Sequence, residues 1–231
     1  MKPILENESE FFCEIQAPCF QMLSKEEIEL VKVSQTQVLF RRGDNLTKQG
    51  AFASYILFII KGLAKQYIES ENNRNFNLRI IQPGEFVGLS SVFSKNIFNY
   101  STVALTDCQA FLVEKEAIVK VVSGNGNFGM NIIKRYCEQN TNLTETLSNV
   151  LFKQMNGRIA ETLLYIDNLK SENPDVFVLL SRKDIADFAG ISVESAVKLL
   201  KTLEKETIIR LHEKDIVLLD KNKLEQISKN G

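Results

Sequence analysis

Between Ser181 and Leu203 the chain spaces small, apolar and polar residues in a way that suits contact with a DNA duplex better than catalysis. Ser181 can cap a first helix whose inner face carries Ile185 and Ala189, four residues apart, with Ala186 small enough to let a second helix cross closely. Gly190 stands where a sharp turn needs a positive φ, and Ile191 plugs the joint. Ser192 can cap the second helix, whose inward positions Ala196, Leu199, Leu200 and Leu203 keep a 3.6-residue period. What remains on the outside near its start is Val193, Glu194, Ser195 and Lys198. In a helix-turn-helix those first turns of the second helix face the base edges of the major groove. An ordinary helical hairpin with a glycine corner could share part of this pattern. It would not be expected to meet every steric requirement over twenty residues and then run into a two-stranded wing, IIRLH and DIVLLD.

Other chemistries find little support. There is no phosphate-cradling Walker loop, no G-x-S-x-G nucleophile turn and no metal-spaced His/Cys group, so no enzyme activity and no cofactor are expected. The single histidine, His212, falls in the expected wing, which suits a surface residue better than a haem ligand. The 28 Lys and Arg against 29 Asp and Glu give a net charge of -1, so any DNA-binding surface must be local. The start of the chain lacks the basic and apolar regions of a signal peptide, and no apolar run reaches the roughly 18 residues of a membrane span. A cytoplasmic protein with no membrane partner is the expectation. Cys13, Cys19, Cys108 and Cys137 are too few and too scattered for a disulfide framework, and reduced structural thiols follow.

The elements that would position the recognition segment can also be read. Ser24 and Glu27 have capping-box spacing at the start of a short helix. From Thr36 to about Val113, short β-favouring runs punctuated by Gly43, Gly50, Gly62, Gly84 and Gly88 suggest an antiparallel roll or barrel. Asn72-Asn73 and Pro83-Gly84 mark turns within it. Helical pattern follows Glu114, breaks at Ser123 to Asn127, and resumes from Phe128 to Phe152. There Ile132, Tyr136, Leu143 and Val150 form a stripe of near-heptad period, with Ile133 and Leu147 beside it. Such a helix could cover the roll, form a homodimer seam, or do both with adjacent faces. Gln139 and Asn140 interrupt the stripe with polar groups that could fix register or leave room for a ligand. The domain boundary is expected between Lys153 and Gly157, giving a sensing and dimerising part over 1–153 and a DNA-binding part over 154–231.

A glycine-punctuated roll, a long helix, G-R-I-A-E-T-L-L and a winged helix-turn-helix together resemble the Crp/Fnr family of regulators over nearly the whole chain. The most specific stretches are F-R-R-G-D-N-L-T-K-Q-G at 40–50, Ile60-Lys61-Gly62, P-G-E-F-V-G at 83–88, Gly157 to Leu164, and Arg182 to Leu203. The resemblance implies an α+β fold: an N-terminal antiparallel roll of the double-stranded β-helix or jelly-roll type, a dimerisation helix and a C-terminal winged helix-turn-helix. It implies a homodimer reading a palindromic operator in double-stranded DNA and acting on RNA polymerase.

Carried over residue by residue, the family's S-R-E-T-V-x-R segment reads Ser192-Val193-Glu194-Ser195-Ala196-Val197-Lys198. Glu194 is retained and can accept a hydrogen bond from cytosine N4. Val193 stands where cyclic-AMP-responsive members have an arginine, as in Fnr-type segments, and Lys198 replaces a second arginine. Ser181, Arg182, Ser192 and Ser195 match positions that hold the DNA backbone. The cyclic-nucleotide cassette, G-E-L followed by R-S-A, reads Gly88-Leu89-Ser90 and Tyr100-Ser101-Thr102. With Leu89 for the ribose-binding carboxylate and Tyr100 for the phosphate-binding arginine, cyclic AMP would lack its charge partner. An effector of other chemistry, or none, is expected, with those six residues and Leu143 and Thr144 as pocket candidates. The resemblance leaves one alternative, an Fnr-like redox or metal-cofactor sensor using Cys13, Cys19 and Cys108, although the C-x2-C element is absent. A nucleotide-binding module serving an unrelated output is a further alternative, disfavoured by the same Leu89 and Tyr100.

Overall fold

The computed structural model describes residues 1–4, 20–72, 74–94, 96–171, 173 and 175–231. Cys13, Cys19 and half of the expected Asn72-Asn73 turn lie outside the described residues. Contacts divide the chain into two compact units, Met1–Glu69 with Arg79–Thr141, and Ser70–Leu78 with Asn142–Gly231.

The N-terminal unit is built on alternation. Ser24 closes a full capping box with Glu27 and starts α1 (Lys25–Val33), as its spacing predicted. Two antiparallel sheets follow. One has the order β1 (Lys2–Pro3), β2 (Gln35–Phe40), β9 (Cys108–Glu114), β4 (Tyr55–Lys61), β7 (Phe86–Val87). The other runs β3 (Asn45–Thr47), β8 (Ser101–Ala104), β5 (Ala64–Glu69), β6 (Asn75–Ile81). In β4, successive side chains point to opposite faces, and both faces are buried. Leu57 and Ile59 pack with Val38, Phe40, Ile81, Val87 and Ala110 in one core. Ile56 and Phe58 join Phe86, Phe111 and Val113 in the other, together with α1, α3 (Lys115–Gly124) and the start of α4 (Gly126–Phe152). Phe20 and Phe58 meet edge-on there at 5.2 Å between centroids.

Asn125 alone separates α3 from α4, a shorter break than the one expected at 123–127. The reason is local: its Oδ1 accepts the Phe128 N–H at 3.0 Å, so one residue both ends α3 and caps α4. Along α4 the expected stripe divides. Phe128 and Ile132 are buried in the core of the roll, so Ile132 is occupied within its own unit rather than facing outward with the other seam candidates. Ile133, Tyr136, Leu143, Leu147 and Leu151 are each more than half exposed, and Val150 is half-buried.

The C-terminal unit packs α5 (Met155–Asn168), α6 (Val176–Leu179), α7 (Arg182–Ala189), α8 (Val193–Lys205) and α9 (Lys221–Asn230) with a two-stranded wing, β10 (Ile209–His212) and β11 (Asp215–Leu218). Ile159, Leu163, Ile166, Phe177, Ile185, Ala196, Leu200, Ile216 and Leu224 are buried at its centre. Beside α9, Lys153 Nζ donates to Glu161 Oε2 and to Ser228 Oγ, both at 2.8 Å, and the Ser228 hydroxyl also donates to Glu161. Among the described residues no helix is long and apolar enough to cross a membrane.

Candidate nucleic-acid interface

The candidate site residues fall in two places, the α7–α8 corner and the cassette of the roll. At the corner, Ser181 closes a second capping box: its Oγ accepts Asp184 N–H at 3.1 Å while its own N–H donates to Asp184 Oδ2 at 2.8 Å. This satisfies donors that the first turn of α7 would otherwise leave open. Ile185, Ala186 and Ala189 are buried as their spacing required. Gly190 ends the helix with φ +62°, a left-handed conformation that favours a residue without Cβ. Ser192 caps α8 by accepting Ser195 N–H at 3.1 Å. Ala196, Leu200 and Leu203 face inward and Leu199 is half-buried.

The opposite face of α8 is polar. Ser192, Glu194 and Lys198 are exposed, and Val193 and Ser195 are half-buried beside them. The Glu194 carboxyl is held below the usual carboxylate range by its own backbone N–H and by Ser192, so it is ionised at neutral pH. Exposed Lys183, Lys201, Arg210 and Lys214, on α7, on α8 and in the wing, were not among the sequence candidates. Lys201, Arg210 and Lys214 are each isolated cations in the sequence, and Lys183, beside Arg182, falls at no position carried over from the family segment. Arg182 is half-buried, and its Nη2 donates to the carbonyl of Glu213 in the wing turn at 2.9 Å.

In the wing, β10 and β11 pair from Ile209↔Leu218 to His212↔Asp215. The Leu211 N–H donates to Glu204 Oε1 at 3.0 Å and Lys170 Nζ donates to the Ile216 carbonyl at 3.0 Å. His212 is exposed in β10, the surface position expected of it.

In the roll, the two expected cassette stretches, 88–90 and 100–102, are brought together by a hydrogen bond between Gly88 and Tyr100. Gly88 turns the chain with φ +87°, and a Cβ there would fall 2.6 Å from the Phe98 ring. α2 (Leu89–Val92) follows, with Leu89 buried in the aromatic core instead of offering a carboxylate. The Gly88 N–H donates to Tyr100 Oη at 2.9 Å. Burial pushes the Tyr100 phenol up, while Gly88 and Ser90 bond to its oxygen. Ser101 donates to Glu69, whose carboxylate Lys48 Nζ grips at 2.6 Å, and its Oγ accepts the Gln49 N–H at 2.9 Å. Thr102 and Thr47 bond to each other at 2.9 Å. These donors are therefore satisfied inside the protein. Leu143 and Thr144, the remaining pocket candidates, lie on the exposed part of α4 in the other unit.

Cys108 is buried with its Sγ 3.1 Å from the Leu63 carbonyl, and burial pushes its thiol up to about 11. Without a ligand it is therefore protonated at neutral pH and poorly nucleophilic. Cys137 is a free, exposed thiol on α4.

Two family sequence patterns match the chain, the cyclic nucleotide-binding domain over residues 37–125 and the Crp-like helix-turn-helix domain over residues 157–227. The chain is 25% identical over 181 residues to the cAMP-activated global transcriptional regulator CRP of Salmonella typhimurium, covering 75% of this chain and 84% of that protein. Its fold is shared with FixK2 from Bradyrhizobium japonicum, at TM-score 0.74 and 19% identity over 84% of this chain and 96% of that one. The c-di-GMP responsive global regulator CLP of Xanthomonas campestris gives TM-score 0.71 and 20% identity, over 84% and 99%. With a roll, a long helix and a capped α7–α8 corner that answer to both halves of that pattern, the chain belongs to the Crp/Fnr family of transcription regulators.

Proposed function

We propose that this protein regulates transcription as a homodimer that reads a palindromic operator, and that its effector is not cyclic AMP. The observation that carries the reading is the α7–α8 corner, where both helix caps and the Gly190 turn hold Val193, Glu194, Ser195 and Lys198 at the polar start of α8. Base reading falls to Val193, Glu194 and Lys198, with Ser181, Ser192 and Ser195 on the phosphate backbone. The part over 154–231 binds DNA, and the part over 1–153 senses and dimerises. The apolar stripe of Ile133, Tyr136, Leu143, Leu147 and Leu151 supports pairing through α4, because exposure of this much contiguous apolar side chain calls for a partner. Two recognition helices related by a two-fold axis would meet half-sites about 34 Å apart. RNA polymerase is the protein partner and the cytoplasm the location that this reading entails.

The filled cassette supports a non-cyclic-AMP effector, or none: Tyr100 Oη occupies the Gly88 N–H and Leu89 offers no carboxylate. That the relative from Salmonella is cAMP-activated by name, and the one from Xanthomonas c-di-GMP responsive, fits a roll that changes its ligand while keeping its frame. The lack of a C-x2-C element between Cys13 and Cys19 weighs against the redox-cofactor alternative.

Binding-site selection with the purified protein tests the main reading. A palindromic consensus whose affinity falls steeply with salt is the expected result, through counterion release. No enriched sequence, or affinity indifferent to salt, would contradict it. In the same preparation, Tyr136→Glu with Leu143→Glu should give monomers in analytical ultracentrifugation.

A further inference from the structure

The wing is held to its unit by side chains from three separate segments, and they do different things. Glu204 of α8 takes the Leu211 N–H, and Lys170 gives a hydrogen to the Ile216 carbonyl. Both fasten strands. The turn between the strands is exposed at His212, Glu213 and Lys214, and Glu213 sits at φ +47°, a conformation that L side chains rarely adopt. A third side chain reaches this turn: Arg182, the first residue of α7, whose Nη2 donates to the Glu213 carbonyl at 2.9 Å across 31 residues of sequence.

Several features mark the Arg182 contact as built. A cation at a helix N-terminus works against the macrodipole, so helix stability does not account for an arginine there. Ser181 and Asp184 cap α7 without it. Its Nη1 is sealed from solvent while Nη2 bonds the wing turn, so the half-buried guanidinium does not stand free over the surface. Burial lowers its pKa while the Asp215 and Glu204 carboxylates act in the opposite sense, and it stays charged at every physiological pH. Asp215 closes the wing turn opposite His212, and Glu204 is the side chain that fastens Leu211. The charge thus stands among the groups that set the wing.

We propose that Arg182 is a positioning residue for the wing, fixing the β10–β11 turn and through it the exposed Lys214, rather than a direct phosphate ligand as its place in the motif suggests. The wing's part in DNA binding rests on the function proposed above; the contact between Arg182 and the turn does not.

The experiment therefore has one arm without DNA. In the free full-length protein, amide hydrogen exchange at 211–215 should quicken about tenfold in R182M, because one charge-assisted bond is lost from the local opening equilibrium. Methionine keeps the aliphatic stem in place, amides of Ile185 and Leu200 should exchange as in the wild type, and R182K should restore most of the protection. Wing exchange in R182M within about twofold of the wild type would overturn the proposal. The second arm measures the salt dependence of DNA affinity for R182M, K214A and the double variant. A residue acting through the wing predicts that the double variant is no weaker than K214A alone. A direct phosphate contact predicts that the losses multiply and that the salt slope flattens by about one further unit. That additive result would also overturn the proposal. Absence of any salt-dependent DNA binding by the wild type would sink the DNA-binding reading and leave the exchange arm to judge Arg182.

Discussion

The α8 face and the cassette of the roll are both built on a glycine turn leading into a helix, and they differ in what they leave exposed. At the corner, Gly190 and the two serine caps hold the frame while the outward side chains stay polar and exposed. At the cassette, Gly88 and α2 hold a comparable frame, but Leu89 has joined the core and the Tyr100 hydroxyl takes the free N–H. At both places the glycine sets the path of the backbone, while the side chains around it set what is left open.

Breaking one frame should have the largest effect. Gly190→Val forces a β-branched residue to φ +62° and should cost the C-terminal unit about 2 kcal/mol, read as a lower denaturant midpoint. A midpoint unchanged from the wild type would show that the turn tolerates a side chain. Changing the reading surface should leave stability alone. Glu194→Ala should relax selection at one base pair in each half-site by roughly 1–3 kcal/mol, with non-specific binding equal or tighter. Unaltered base preference in a selection experiment would assign base reading elsewhere.

The cassette should respond differently. Tyr100→Phe leaves the Gly88 N–H without its acceptor and should cost about 1 kcal/mol in thermal or denaturant melts, without creating cyclic AMP binding. Saturable nucleotide binding by that variant would mean that the hydroxyl alone had closed the site. The smallest effect is one of pH. Burial by itself raises the Glu161 carboxyl, but Lys153 and Ser228 outweigh it and leave the pKa below 4.5. A lowered folded-state pKa contributes stability that is present above the unfolded value and is lost as pH falls through the folded one. The Glu161 side chain is 39% exposed, so screening limits the contribution to about 0.5 kcal/mol. Glu161→Gln should narrow the difference in stability between pH 6 and pH 3 by about that amount, and an unchanged difference would remove Glu161 from the account.

Much of this was legible in sequence because local rules decide it. Both α7 and α8 caps, the Gly190 turn, the inward α8 positions and the capping box of α1 follow from residue type and short spacing. Where two neighbours compete, local rules fail. Ile132 and Ile133 lie about 100° apart on one helix, and which of them faces the roll is settled by the packing of Phe128 and Phe86, which no helical period contains. Tyr100 could be read as the loss of an arginine, but that its hydroxyl would take the N–H of Gly88, twelve positions earlier, depends on how the chain folds back. The Arg182 contact is the extreme case, since its partner is a backbone carbonyl and carries no signature in the sequence.

The contrast proposed between a base-reading α8 and a cassette closed to cyclic AMP is tested most directly by fluorescence anisotropy of the selected operator with the wild-type protein, titrated with and without millimolar cyclic AMP. Superimposable curves whose midpoint moves only with salt are expected. A saturable tightening of operator binding at micromolar cyclic AMP would contradict it.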